Sequence, residues 1–107
     1  MNWVIDFLPE AIQDMNDLDG SQRKYVIKAL QKVRVNPLPQ SEGGYGKPLG
    51  NKNGIDLSGL LKIKIKAAGL RIVYKLIRDD DKMLVLVIGA RADNEVYEIA
   101  GKRNQGL

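Results

Sequence analysis

The stretch LKIKIKAAGLRIVYKL, Leu61 to Leu76, places lysines at 62, 64 and 66, followed by Arg71 and Tyr74. Successive side chains in a strand point to opposite faces, so the lysines share one face and Ile63 and Ile65 the other. Arg91 and Tyr97 follow further along the chain. The chain has no cysteine and no histidine. Thiol nucleophiles, disulfides, histidine acid–base chemistry and Cys/His metal sites are therefore excluded. A zinc site would have to be built from Asp and Glu alone. Lysine, arginine and tyrosine remain to move protons and neutralise negative charge.

Taken alone, Lys62, Lys64 and Lys66 fit the solvated face of a half-buried strand, where lysines also discourage edge-to-edge pairing. Pairing decides whether Arg71 joins them. A two-residue hairpin loop sets Lys64 opposite Arg71, Lys62 opposite Val73, and Ile63 and Ile65 against Ile72 and Leu70. Ala-Ala-Gly suggests instead a three-residue loop with a bulge at Gly69, which shifts the pairing by one. That slip would bury Arg71, so the first register is expected. Like charges held together repel unless an anion is present, and the cluster invites phosphate. Crowding also lowers lysine pKa values, which helps a lysine accept a proton near neutrality. An RNA strand brings phosphates and its own nucleophile, the 2′-hydroxyl. Cleavage then needs only in-line positioning, a base, an acid and cations around the developing charge.

The elements that must position these groups fit one domain spanning residues 1–107. Of its residues 44% are hydrophobic and 28% charged, the balance of a globular chain with a packed core. The net charge of +4 arises entirely after residue 50, where eleven basic residues face seven acidic ones. Such an excess suits a nucleic acid or an acidic protein partner. The longest apolar run, MLVLVIGA, is too short to span a membrane, and MNWVIDFLPE lacks the pattern of a signal peptide. A cytoplasmic protein without membrane contact is expected.

WVIDFL alternates like a strand and ends at Pro9, which suits the first turn of a helix. PEAIQDMNDL carries an apolar stripe at Ala11, Ile12, Met15 and Leu18. Ser21 is the expected N-cap of a second helix with Tyr25, Val26, Ala29, Leu30 and Val33 buried, ending at Asn36-Pro37. Residues 37–59 hold three of the four prolines and six of the eleven glycines and are expected as a long loop. Strands follow at 60–66, 70–79 and 82–90, joined by short turns that force antiparallel pairing. The last is apolar enough to be covered on both faces. A helix from Asn94 to Arg103, with Val96, Ile99 and Ala100 as its stripe, closes the chain. The order βααβββα, an antiparallel sheet packed with an N-terminal helical hairpin and a short C-terminal helix, is an α+β fold.

Five features occur together and in order: WVIDFL, the hairpin ending in NP, KPLG, LLKIKIKAAGLRIVYKLI, and VLVIGARADNEVYEIA. Within them lie K-I-K, G-x-R-x-V-Y, I-G-x-R and a downstream E-V-Y. On these residues the chain resembles the RelE/ParE superfamily of bacterial type II toxins, and within it the RelE-like mRNA interferases. The resemblance implies ribosome-dependent cleavage of mRNA and inhibition by a cognate antitoxin, with no metal and no cofactor. Its catalytic lysines fall on Lys62 and Lys64, its transition-state arginines on Arg71 and Arg91, and its carboxy-terminal tyrosine on Tyr97. Lys64 is assigned as base toward the 2′-hydroxyl and Arg91 as acid to the leaving 5′-oxygen. Lys62 and Arg71 would stabilise the phosphorane, and Tyr97 would orient the substrate. Lys47, Lys52 and Lys66 are expected to bind RNA. Asp93 stands where relatives carry a second arginine, and the stretch GGYGKPLGNKNG is longer than in the shortest members. A ParE-like toxin that binds DNA gyrase without cleaving RNA, or an inert partner-binding member, is the alternative.

Overall fold

The computed structural model describes residues 2–52, 54–90 and 95–107, with only the backbone of Lys52. Strand β1 (Val4–Phe7) leads into helices α1 (Pro9–Asn16) and α2 (Gly20–Val33). Strands β2 (Lys47–Lys52), β3 (Ile55–Ile65), β4 (Leu70–Ile77) and β5 (Lys82–Ala90) follow, then helix α3 (Glu95–Gln105). One sheet takes the order β1-β5-β4-β3-β2. Its β2–β3–β4–β5 part is antiparallel, and β1 joins β5 in parallel.

The expected loop at 37–59 contains β2 and the start of β3, so the sheet gains a strand. Pro48 is tolerated because β2 is an edge strand, which needs ladder donors on one side only. The β2–β3 register shifts between Pro48 and Gly50. Asp19 rather than Ser21 caps α2. Its carboxylate accepts the Gln22 N–H at 2.8 Å, and the Gln22 side chain accepts the Asp19 N–H at 3.2 Å. This reciprocal pair satisfies two helix-end donors and holds the Asp19 pKa below its ordinary value. Tyr25 was expected inside, yet its side chain is exposed because the buried stripe runs through Val26, Leu30 and Val33.

The two sheet faces carry separate cores. Leu61, Ile65, Ile72, Tyr74, Met83 and Val85 pack under α1 and α2 with Ala11, Val26 and Leu30. Leu57, Leu60, Val73 and Leu86 pack under α3 with Val96 and Ala100. Strand β5 is buried from Met83 to Ile88, as its composition predicts. A bulge opposite Val73 and Tyr74 makes Leu86 the extra residue of β5. Beyond the reach of β1, Arg103 of α3 donates to the Leu86 carbonyl at 2.7 Å. It also pairs with Asp14 of α1 at 2.7 Å, and Asp14 accepts the Ile88 N–H at 3.1 Å. This half-buried ion pair stands in for the missing strand and ties the two helical layers together. Among the described residues no helix is long and apolar enough to cross a membrane.

Candidate functional site

The β3–β4 ladder pairs Lys64 with Arg71, Lys62 with Val73, Ile63 with Ile72 and Ile65 with Leu70, the expected register. The turn itself is different. Lys66 to Gly69 form a four-residue connection with one helical turn, closed by Gly69 at φ +65° and its N–H to the Lys66 carbonyl at 3.3 Å. Glycine suits this left-handed backbone, because it lacks the Cβ that would clash.

Strand β5 and helix α3 bring Tyr97 onto this surface. Gly89 pairs with Arg71 across the ladder, and a Cβ at Gly89 would lie 2.6 Å from Val96 Cγ2. The missing side chain lets the first turn of α3 sit close to the sheet. Tyr97 is consequently buried, only 5% exposed. The Arg71 guanidinium stands 5.1 Å from its ring centroid and Lys62 Nζ 5.7 Å. Lys62 Nζ also donates to the Tyr97 hydroxyl at 3.3 Å, although Lys62 is 9% exposed. An aromatic face attracts cations in this geometry, more strongly where water is excluded.

Arg71 is the unusual member. Its Nε and Nη1 are buried, and among the described residues neither has a hydrogen-bond partner. A buried donor without an acceptor is destabilising by about 1–3 kcal/mol, more when charged. Arg71 and Asp79, oppositely charged and eight residues apart, do not pair. Asp79 lies in the turn beyond the far end of β4, while Arg71 stacks on Tyr97 near the other end. The planar fork is shaped for two oxygens of one phosphate or carboxylate.

Lys64 is exposed beside Arg71, Lys66 is exposed in the turn, and Lys47 pairs with Lys62 from β2. Thus Lys47, Lys62, Lys64, Lys66, Arg71 and Tyr97 gather at one end of the sheet. Lys52 does not, since it pairs with Ile55 at the other end of β2, on the order of 15 Å away along the strand. Arg91 and Asp93 lie outside the described residues. Beside Lys62 and Lys64 is a recess of about 410 Å³ whose walls also include Lys32 of α2 and Tyr45. Sequence reasoning passed over both, although a tyrosine set between glycines and followed by lysine, GGYGK, was a legible signal. Among the described residues no cluster of three carboxylates could hold a metal ion.

Residues 5–95 match the family described as the ParE toxin of the type II toxin–antitoxin system parDE. The mRNA interferase toxin RelE of Escherichia coli strain K12 is 28% identical over 103 residues, covering 96% of this chain and 98% of that protein. The mRNA interferase RelE of Shigella flexneri is similar to the same extent. Among solved structures, a mutant of E. coli toxin RelE in the free state superposes with a TM-score of 0.73 at 26% identity. That match covers 96% of this chain and 98% of that one. A chain of the toxin–antitoxin complex RelBE2 from Mycobacterium tuberculosis gives 0.69 at 18% identity, over 85% of this chain and all of that one, a likeness of fold.

Proposed function

The chain belongs to the RelE/ParE superfamily of type II toxins and has the RelE-like α+β fold, and from that premise we propose that it is an endoribonuclease that cleaves mRNA. The observation that carries this reading is Arg71. A half-buried guanidinium stacked on Tyr97, with Nε and Nη1 lacking hydrogen-bond partners among the described residues, offers donors to phosphate oxygens. Lys62 and Lys64 flank Arg71. RelE relatives described as mRNA interferases support the substrate class.

In this reading the phosphate of a single-stranded message sits between Arg71 and Lys62. Its 2′-hydroxyl attacks in line and gives its proton to Lys64. The new 2′-oxygen–phosphorus bond forms as the bond to the 5′-oxygen breaks, leaving a cyclic phosphate and a 5′-hydroxyl. Arg91 supplies the proton to the departing oxygen. Arg71 and Lys62 hold the negative charge that builds on the phosphorane, where fixed cations act without reorganising. Tyr97 fixes both cations and orients the substrate. The message is presented by the ribosome, and a cognate antitoxin is the inhibitory partner, as the toxin–antitoxin assemblies among the structural relatives support.

Induced expression followed by mapping of mRNA 5′ ends tests the proposal. Codon-phased cuts that disappear in Lys64→Ala and Arg91→Ala are expected. The ParE description of the matching family favours a second reading, a toxin that binds DNA gyrase without cleaving RNA. Growth arrest with intact mRNA and a DNA-damage response would select that reading and reject the nuclease.

A further inference from the structure

Among the described residues β2 reaches β3 only as far as the Lys47–Lys62 pair, so Ile63 to Ile65 border a recess rather than a strand. Ala29, Lys32 and Val33 of α2 and the loop residue Tyr45 also line it. The Tyr45 segment is held firmly. The Tyr74 hydroxyl donates to the Pro37 carbonyl at 2.7 Å, the Tyr45 N–H to the Asn36 carbonyl at 3.0 Å, and the Gly46 N–H to the Leu38 carbonyl at 3.0 Å. Gly46 has no room for a side chain, since a Cβ there would lie 2.5 Å from the Tyr74 hydroxyl. Tyr45 is nevertheless 49% exposed, with Lys32 Nζ 5.3 Å from its ring centroid.

Five lysines (32, 47, 62, 64 and 66) line the recess, and among the described residues no carboxylate does. Such a set repels itself and attracts a polyanion. A fixed, half-exposed aromatic ring within it offers a stacking face, which suits a nucleobase more than an acidic peptide. The volume of about 410 Å³ lies within the range of small-ligand sites. Lys62 and Lys64 belong both to this recess and to the cluster around Tyr97, so the recess adjoins the Arg71 site.

We propose that this recess seats the nucleotide next to the scissile phosphate, its base stacked on Tyr45 and its phosphate among Lys32, Lys47 and Lys66. The inference rests on the endoribonuclease reading for the identity of the strand, and the following test separates the two.

The full chain is titrated with 2′-O-methyl RNA hexanucleotides, which lack the attacking hydroxyl, carrying 2-aminopurine at each position in turn. Stacking quenches this base. Quenching at one position is expected with the wild type and with Tyr45→Phe. In Tyr45→Ala it is lost, and affinity falls by about 5- to 150-fold. Lys47→Ala lowers the salt dependence of binding by about one phosphate contact. Absence of binding by the wild type, or unchanged quenching and affinity in Tyr45→Ala, overturns the proposal. So does a Tyr45→Ala defect confined to an acidic antitoxin peptide. Mapping of mRNA ends in parallel keeps the outcomes apart. Cuts with no Tyr45-dependent quenching reject the recess and leave the nuclease, whereas Tyr45-dependent quenching without cuts upholds the recess and rejects the nuclease.

Discussion

Tyr74 and Tyr97 are both buried, on opposite faces of one sheet, and they do opposite things. Tyr74 lies under the helical hairpin and gives its hydroxyl proton to the Pro37 carbonyl. Burial pushes its pKa well above the usual phenol range, so it stays a neutral donor that latches the segment before β2. Tyr97 lies at the rim of the face under α3, accepts a hydrogen bond from Lys62, and carries Arg71 against its ring. The difference shows how the fold keeps cations near its core. Two helices cover the first face. A single eleven-residue helix covers the second, and among the described residues aromatic surface rather than carboxylate supports Arg71.

The largest expected effect breaks the closed side. Tyr74→Ala removes a fully buried ring and should destabilise the protein by about 3–5 kcal/mol in urea unfolding. A change of that size with mRNA cleavage retained in the surviving folded protein would show that the latch is structural. Next comes the open side. Arg71→Ala should slow cleavage by about 10²- to 10³-fold without lowering the unfolding midpoint, because it also removes two buried nitrogens that have no partner among the described residues. Arg71→Lys should not restore activity, since a lysine lacks the planar fork. Equal losses of stability and activity would mark Arg71 as a packing residue.

Smaller changes sharpen the contrast. Tyr74→Phe leaves the Pro37 carbonyl without its donor and should lower stability by about 1–3 kcal/mol. Tyr97→Phe keeps the ring beneath Arg71 and removes the acceptor of the Lys62 bond. Its effect on unfolding should be smaller, about 0.5–1.5 kcal/mol. The smallest effect is at the surface, where Glu42 and Arg78 form a two-point pair at 2.7 and 3.0 Å. Arg78 holds the Glu42 pKa below its ordinary value of 4.5. A depressed carboxylate contributes stability that is present above the ordinary pKa and lost as pH falls through the folded one. The advantage of wild type over Glu42→Gln in thermal unfolding should therefore exist at pH 6, fade as pH falls past 4.5 and vanish below the folded pKa.

Particular residues show why parts of the fold and site were legible in the sequence. The β3–β4 register followed from segregation of charge from apolar surface, because a one-residue slip would bury Arg71. Turn length was not legible, since Lys66 to Gly69 can close that register with a local helical turn as readily as a tighter loop can. Strand β2 was hidden because its pairing partner is distant in sequence and its Pro48 and Gly50 read as breakers. Asp19 was passed over as a cap for Ser21, two residues on, by a choice that only local geometry makes.

The sequence by itself determined the chemistry that is absent and the types that remain. With no histidine or cysteine, cationic and phenolic chemistry falls to lysine, arginine and tyrosine, and alternation alone put Lys62 and Lys64 on one face. Family membership was legible too, in motifs spread over nearly the whole chain. Tertiary structure alone decided which cations meet. Gly89 lets α3 approach, which sets Tyr97 beneath Arg71 and Lys62, and the latched loop sets Tyr45 beside Lys32. These contacts join residues far apart in sequence. No local pattern encodes them, and they exist only once both faces of the sheet are packed.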